Sequence, residues 1–330
     1  MTPVYSLVVP IFNEEAVLPM LLRRLDALLD SLDAPAEAIF VDDGSSDAGP
    51  IVLEAKARAD RRYRFVKLSR NFGHQVAITT GMDRAAGQAV IVMDADLQDP
   101  PEVVLDMIAK WKEGYEIVYA ERLSREGESR FKRATADLFY RLLGKLSDVE
   151  IPRNVGDFRL VDRKALDAFL AMPERDRFVR GMFAWIGFRQ AVVPFHRPPR
   201  AAGETKYSLT KMIRLAADGV VSFSDAPLRV ALWAGLAISS LAILYGVWVI
   251  ALWAMNANLA RGWSSIIVLV AFLGGANMLM TGVMGVYVGR IYAEVKRRPL
   301  YIVDKAVGFE AAAEAPATRA PAREAEAKRA

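Results

Sequence analysis

Hydrophobic and polar positions divide this chain into two unlike parts. Over the first two hundred residues, short apolar runs alternate with stretches in which apolar residues recur at helical spacing. The run YSLVVPIF (residues 5–12) predicts a strand, and Val17, Leu18, Leu21, Leu22, Leu25, Leu28 and Leu29 then mark one face of a helix. EAIFVDDG (37–44) predicts a second strand, Arg64 to Leu68 a third, Ala89 to Met93 a fourth and Glu116 to Ala120 a fifth, with helical segments between most of them. Strand and helix in alternation predict an α/β domain with a mainly parallel sheet covered on both faces. No internal repeat interrupts the pattern.

The second part reads differently. Val230 to Met255 is a run of 26 residues without a charge, and Gly262 to Gly289 is another of 28. At about 1.5 Å per residue, either run is long enough to cross a hydrocarbon layer of roughly 30 Å. Soluble helices of that length carry a polar face, and these do not. Trp233, Trp253 and Trp263 lie where interfacial aromatics belong. The linker Asn256 to Arg261 is only a turn, so the two spans form a hairpin with both outer ends on one side. Arg229 precedes the first span, and Arg290, Lys296, Arg297 and Arg298 follow the second, against Arg261 alone in the linker. The positive-inside rule then places the N-terminal domain and the tail in the cytoplasm, in a multi-pass protein of the inner membrane. MTPVYSLVVPIFNEE has no basic start and an apolar run only a strand long, so no leader is expected.

Composition agrees with two parts. Hydrophobic residues make up 53% of the chain, high for a soluble protein, and charged residues 25%, high for a polytopic one. The 330 residues contain no cysteine, which excludes disulfides, thiol catalysis and cysteine-ligated zinc. The net charge is +4. Its basic excess gathers near the apolar runs, where anionic headgroups are a simpler partner than nucleic acid. Between Ser208 and Ser224, Leu209, Met212, Ile213, Ala216, Val220 and Phe223 share a helical face opposite Lys211, Arg214 and Asp218, the pattern of an interfacial helix. After Phe309 the tail is an Ala/Glu/Arg/Pro segment with the composition of disorder.

Candidate chemistry lies at the strand ends, where ligands bind in parallel sheets. The first strand ends in Asn13-Glu14-Glu15, the second in VDDGSSD (41–47) and the fourth in DADLQD (94–99). All three endings are acidic, and neither GxGxxG nor GxxxxGK[ST] occurs, so a glycine-rich phosphate cradle is not the binding device. Acidic strand ends hold a polyphosphate only through a divalent cation. Asp94 and Asp96 are suited to bind Mg²⁺ or Mn²⁺ with phosphate oxygens completing the shell. Asp99 before Pro100-Pro101 reads as a turn or capping residue. His74 and His196, far apart in sequence, read as structural.

Taken in order, VVPIFNEE, VDDGSSD, RNFGHQVAITTGMD and MDADLQDPPE, followed by a two-span hairpin, resemble the family 2 inverting glycosyltransferases of GT-A fold. The similarity is to the polyprenyl-phosphate branch, the bactoprenol glucosyltransferases and dolichyl-phosphate mannose synthases, and it covers about residues 4 to 300. The resemblance implies that Pro10, Glu14 and Asp42 or Asp43 line a nucleoside pocket, and that Asp94 and Asp96, with Gln98 nearby, hold metal and diphosphate. GDFRLVDR (156–163) resembles the next family block and implies Asp157 beside the reacting centre, either as a base or as a group orienting acceptor or sugar. A lipid phosphate acceptor needs cations. Arg122, Arg130, Lys132 and Arg133 are candidates, as are Arg200, Lys206 and Tyr207 in RAAGETKYSL, which matches a family pattern R-x-x-G-x-S-K-Y with Thr205 in place of serine.

The organisation expected is a GT-A domain over 1–207, an interfacial helix over 208–226, a transmembrane hairpin over 227–291 and a basic segment with tail over 292–330. The reaction expected is inverting transfer of one sugar, glucose from UDP-glucose first, from a nucleotide-sugar to undecaprenyl phosphate at the cytoplasmic face. Mannose or an amino-arabinose derivative is the alternative sugar. A processive polysaccharide synthase is disfavoured, because the chain has no Q-x-x-R-W block and only two spans. A non-catalytic nucleotide-sugar-binding adaptor is the alternative from another class. Gly274-Gly275 and other small residues in the second span offer a surface for homo-oligomers.

Overall fold

The computed structural model describes residues 2–123, 155–175, 177–196, 226–255 and 263–309. The interfacial stretch 208–224 and the tail after Phe309 lie outside the described residues. Strands β1 (Tyr5–Ile11), β2 (Ala36–Asp42), β3 (Tyr63–Leu68) and β4 (Ala89–Val92) alternate with helices α1 (Leu18–Ser31), α2 (Gly49–Ala59) and α3 (His74–Arg84). Helix α4 (Val103–Lys112) leads to β5 (Ile117–Arg122), and then come β6 (Val155–Asp162), α5 (Arg163–Ala171), α6 (Val179–Trp185) and β7 (Gln190–Phe195). Two long helices, α7 (Ala226–Ala254) and α8 (Trp263–Val295), precede a last strand, β8 (Val303–Val307). The chain forms two compact units, one containing the sheet and one the long helices.

The sheet runs β7-β5-β6-β4-β1-β2-β3-β8. Its centre, β4-β1-β2-β3, is parallel, as the apolar runs predict, and β1 is buried along its whole length. Chain order reverses between β1 and β4, and such a switch point opens a crevice at the carboxyl ends of the strands. Helix α1 covers one face by burying Leu18, Leu21, Leu25, Leu28 and Leu29, the residues its spacing marked out. Helix α3 lies so close to β1 that a Cβ at Gly81 would come 2.2 Å from Val8 Cγ1, so glycine sets that separation. Away from the crevice, buried Glu37 accepts hydrogen bonds from Ser6 Oγ (2.6 Å) and the Ala86 N–H (2.8 Å), with Arg64 Nε 2.6 Å away.

Three strand pairs depart from the parallel pattern. Strand β6 runs antiparallel between β4 and β5, and β8 runs antiparallel along β3. Sequence reading assigned no strand after the apolar runs, because VDKAV is five residues long and carries two adjacent charges, Asp304 and Lys305, that break strand alternation. Register and side chains fix β8 in place. Val307 lies opposite Phe65, the Ser69 N–H donates to Ile302 O at 2.9 Å, Tyr301 Oη donates to Asp83 Oδ2 at 2.6 Å, and Lys305 Nζ sits 2.6 Å from Glu54 Oε1. The segment after the helix pair thus completes the sheet.

In the other unit, Pro227–Tyr245 of α7 and Phe272–Val295 of α8 are long and apolar enough to cross a membrane. Helix α8 continues past the expected end of its span at Gly289, through Arg290 and Glu294, to Val295. Gly235 faces Met280, a Cβ there lying 3.7 Å from Met280 Cε, so the two helices touch at a small residue. Removing residues 301–330 should uncover the β3 edge and cost roughly 3 kcal/mol, or roughly 6 °C or more in the thermal midpoint. Thermal unfolding of full-length and shortened chains measures this, and equal midpoints would mean that β8 contributes nothing to the sheet.

Candidate active site

The acidic strand ends meet because their strands are neighbours. From β4 through β1 to β2, three adjacent strands deliver Asp94, Asn13 and Glu14, and Asp42 and Asp43 to one edge. Loops then bind loops. The Asn13 N–H donates to Ser45 Oγ (2.9 Å), Asn13 Oδ1 accepts from the Ser46 N–H (2.8 Å), and Glu15 Oε2 accepts from the Ala48 N–H (3.0 Å). Asn13 adopts φ 55°, a left-handed conformation that asparagine tolerates better than most residues. Pro10 is buried in β1 opposite Val41, one step before these contacts, and Glu14 is half-buried in the turn.

Asp42 and Asp43, left as alternatives by sequence, separate by their partners. Asp43 accepts the Phe72 N–H (2.7 Å) on one oxygen and the Gly73 N–H (2.9 Å) on the other, so it closes the RNFG loop that starts α3. Gly73 takes φ 101°, and Gly44 takes φ 76° where a Cβ would strike the Arg70 carbonyl carbon at 2.7 Å; both positions demand glycine. Asp42 accepts one backbone N–H, from Ser45 at 3.1 Å, and its Oδ2 is buried without a hydrogen-bond partner. Burial pushes both carboxyls above the usual carboxylate range.

At β4, the Asp94 N–H donates to Asp99 Oδ2 (3.2 Å), and the Gln98 N–H to Asp96 Oδ1 (3.0 Å). Leu97 turns the chain at φ 59°. Asp99 is fully buried and closes the turn into α4, the role read from its sequence position. Asp94 and Asp96 remain half-buried at the mouth, with Gln98 beyond them. Asp94 Oδ1 accepts no hydrogen bond and faces His74 Nε2 at 3.4 Å. Burial raises the Asp94 carboxyl, against the pull of His74 and with the push of Asp157 and Asp96. Among the described residues no cluster of three or more acidic or histidine ligands forms. Two carboxylates are nonetheless hard oxygen donors that fit part of the shell of Mg²⁺ or Mn²⁺, leaving positions for phosphate oxygens.

The antiparallel strand brings in a further carboxylate, Asp157. Val92 pairs with Arg159, and continuing that register past the end of β4 sets Asp157 beside Asp94. Asp157 is 6% exposed and surrounded by donors. Arg159 Nη2 (3.1 Å) and Arg180 Nε (3.0 Å) donate to its Oδ1, while Gln75 Nε2 (3.1 Å) and Arg180 Nη2 (3.2 Å) donate to Oδ2. His74 Nε2 lies 3.4 Å from Oδ2. Burial alone would raise this carboxyl, but Arg180, the His74 contact and Arg159 together hold it well below the usual carboxylate range. Burial opposes a charge on His74, yet Asp157 and Asp94 outweigh it and lift the imidazole to about 9. Arg122, at the end of β5, reaches the same cluster: its Nη2 would meet a Cβ on Gly156 at 2.6 Å.

Sequence reading thus found Asp94, Asp96, Asp157 and Arg122, which the fold brings together. It missed His74, read as structural, together with Gln75, Arg159 and Arg180. His74 and Gln75 follow directly on the RNFG motif, a signal that was available. Arg159 and Arg180 carried none, since arginine is normally solvated. Arg130, Lys132, Arg133, Arg200, Lys206 and Tyr207 lie outside the described residues.

A parallel-centred α/β sheet with acidic strand ends at its switch point, and no glycine-rich phosphate loop, has the form of a GT-A glycosyltransferase. Comparison with known proteins agrees. The family described as Glycosyl transferase family 2 matches residues 6–170. The chain is 49% identical over 306 residues to the uncharacterized glycosyltransferase YkcC of Bacillus subtilis, covering 93% of this chain and 95% of that one. It is 41% identical over 300 residues to a protein of Escherichia coli named prophage bactoprenol glucosyl transferase homolog, covering 91% and 98%. A solved structure, mannosyltransferase PcManGT from Pyrobaculum calidifontis in complex with GDP-Man and Mn²⁺, is similar at 18% identity and a TM-score of 0.47, covering 90% of this chain and 87% of that one. The chain belongs to glycosyl transferase family 2 and is a glycosyltransferase.

Asp42 provides a test of how the site is built. Its folded-state value is raised, so its ionisation costs stability as pH climbs above the usual carboxylate range. Asp42→Asn should therefore raise the thermal midpoint of the ligand-free protein at neutral pH by about 2–4 °C, for roughly 1 kcal/mol. The difference should vanish in acid, where the protonated Asp42 of the wild type is as neutral as the asparagine that replaces it. Thermal scans across pH read this, and a lower midpoint at neutral pH would mean that the charge is compensated.

Proposed function

We propose that the enzyme transfers a single sugar from a nucleotide-sugar, UDP-glucose in the first instance, to undecaprenyl phosphate and inverts the anomeric configuration. The observation that carries this reading is the joining, in one chain, of an acidic donor edge to a pair of long apolar helices. Support comes also from the E. coli relative, which is named a prophage bactoprenol glucosyl transferase homolog and matches nearly end to end. On α7 and α8, Leu232 is 60% exposed and Leu279 72%, apolar surface of a kind that lipid covers. In this reading the helices cross the membrane, both termini are cytoplasmic, and residues 1–207 completed by β8 form the catalytic part.

Each strand end then has a task. Asp42 or Asp43, with Pro10 and Glu14, lines the nucleoside pocket; the single backbone donor on Asp42 favours it as the acceptor of a base or ribose hydrogen bond. Asp94 and Asp96, with Gln98 beside them, would hold Mg²⁺ or Mn²⁺, which when bound supplies positive charge to a departing diphosphate. Arg122, with Arg130, Lys132, Arg133, Arg200, Lys206 and Tyr207, would hold the acceptor phosphate.

In the reaction, an acceptor phosphate oxygen forms a bond to the anomeric carbon while the bond from that carbon to the donor diphosphate breaks. The products are a sugar joined to the lipid through a phosphodiester and a nucleoside diphosphate. A phosphate monoester has its second pKa at about 6, so near neutrality the attacking oxygen is already an anion and has no proton to lose. Proximity and fixed charge are what the protein contributes.

Incubating purified protein with undecaprenyl phosphate, Mg²⁺ or Mn²⁺ and a panel of labelled nucleotide-sugars, followed by lipid extraction, tests the reading. Labelled lipid is expected from UDP-glucose, and none from any donor would refute it. Asp96→Asn should lower turnover about a hundredfold or more. Unchanged turnover would remove Asp96 from the donor site.

A further inference from the structure

Asp157 is the carboxylate nearest the reacting centre by family resemblance, which invites its assignment as a general base. Its surroundings argue otherwise. A carboxylate offers about four lone-pair positions, and a base must turn one of them toward the proton it takes. In Asp157 each oxygen already accepts two hydrogen bonds, from Arg159 and Arg180 on Oδ1 and from Gln75 and Arg180 on Oδ2, with His74 Nε2 a further 3.4 Å from Oδ2. The donors come from three separate elements, β6, α3 and α6. Gln75 is also braced, its Oε1 accepting the Val179 N–H at 3.2 Å, so one side chain ties α3 both to Asp157 and to the start of α6.

The groups around Asp157 differ in exposure. Arg159 is fully buried, lies against the rings of Tyr119 and Phe183, and donates to the Gly156 carbonyl at 3.0 Å, so it serves the interior. Arg180 is 29% exposed and His74 47% exposed; both lie against the same carboxylate, and His74 Nε2 is also 3.4 Å from Asp94 Oδ1. Arginine gripped along one edge by a carboxylate keeps its orientation, and that suits it to meet a second anion.

We propose that Asp157 is a positioning residue: it anchors Arg180, with His74 beside it, so that the guanidinium meets a phosphate group of a substrate, and it takes no proton. The proposed transfer reaction enters only in naming the substrates. A phosphate could come from the donor nucleotide or from the lipid acceptor, and separate binding experiments tell the two apart.

The sign of one effect decides the matter. Removing a negative charge near an anion site strengthens anion binding if the charge merely repels, and weakens it if that charge holds the cations in place. Full-length Asp157→Asn protein in detergent should be titrated calorimetrically with UDP in one arm and farnesyl phosphate in the other. We expect one ligand to bind about tenfold more weakly, the other within twofold of wild type, and the thermal midpoint to be preserved. The weakened ligand identifies the source of the phosphate, and in turnover its KM should rise more than kcat falls.

Unchanged or tighter binding of both ligands would overturn the proposal, as would a large loss of kcat with both KM values unchanged, the signature of a base. Equal weakening of both with a lowered midpoint would show a general structural role and overturn it as well. Should Asp157→Asn fail to fold, Gln75→Ala removes one of the four hydrogen bonds and the brace to Val179, and the same ligand should weaken; no change in either would count against the anchor. Wild-type protein that binds farnesyl phosphate yet transfers no sugar to any polyprenyl phosphate would refute the proposed function and leave the anchor standing.

Discussion

Asp157 lies in the interior of the sheet's edge, where an ionised carboxyl is costly unless opposite charge and hydrogen bonds surround it. Much of the site follows from meeting that requirement. Strand β6 must run antiparallel beside β4 to carry Asp157 past the strand's end, and Arg159 must be buried two residues along. Helix α6 must begin where Arg180 reaches both oxygens, and α3 must begin at His74 and Gln75. The start of α3 is in turn set by Asp43, which gathers the Phe72 and Gly73 amides. Elements distant in sequence are therefore tied through two carboxylates, one at β2 and one at β6.

Charge sorting gives this arrangement its chemical meaning. Asp94 and Asp96 are half-buried at the mouth of the crevice, where the proposed function has them share a cation with a diphosphate. Asp157 faces inward, with its hydrogen-bonding capacity already taken. Three aspartates within one cluster thus differ in kind because their surroundings differ, and the neighbouring arginines offset part of their negative charge.

The parallel centre of the sheet was legible because its strands are continuous apolar runs, and the acidic ends were legible because those runs stop abruptly. Asp94, Asp96, Asp42 and Asp43 could all be located that way. Strand β6 was harder, since Asp157 and Arg159 interrupt its apolar pattern and are tolerated only by pairing with each other and with groups from other elements. Strand β7 carries Pro194, which weakens its reading as a strand, and β8 lies beyond two helices that resemble membrane spans. How Asp42 and Asp43 differ depends on which backbone amides each one meets, a matter of loop geometry that residue identity does not record.

The proposed function turns on a single displacement by an acceptor phosphate that is already an anion and has no proton to lose. The most direct test is the anomeric configuration of the lipid-linked sugar formed from an α-linked nucleotide-sugar, read from proton and phosphorus couplings in the NMR spectrum of the purified product. A β-linked product is predicted, and an α-linked product would contradict the mechanism.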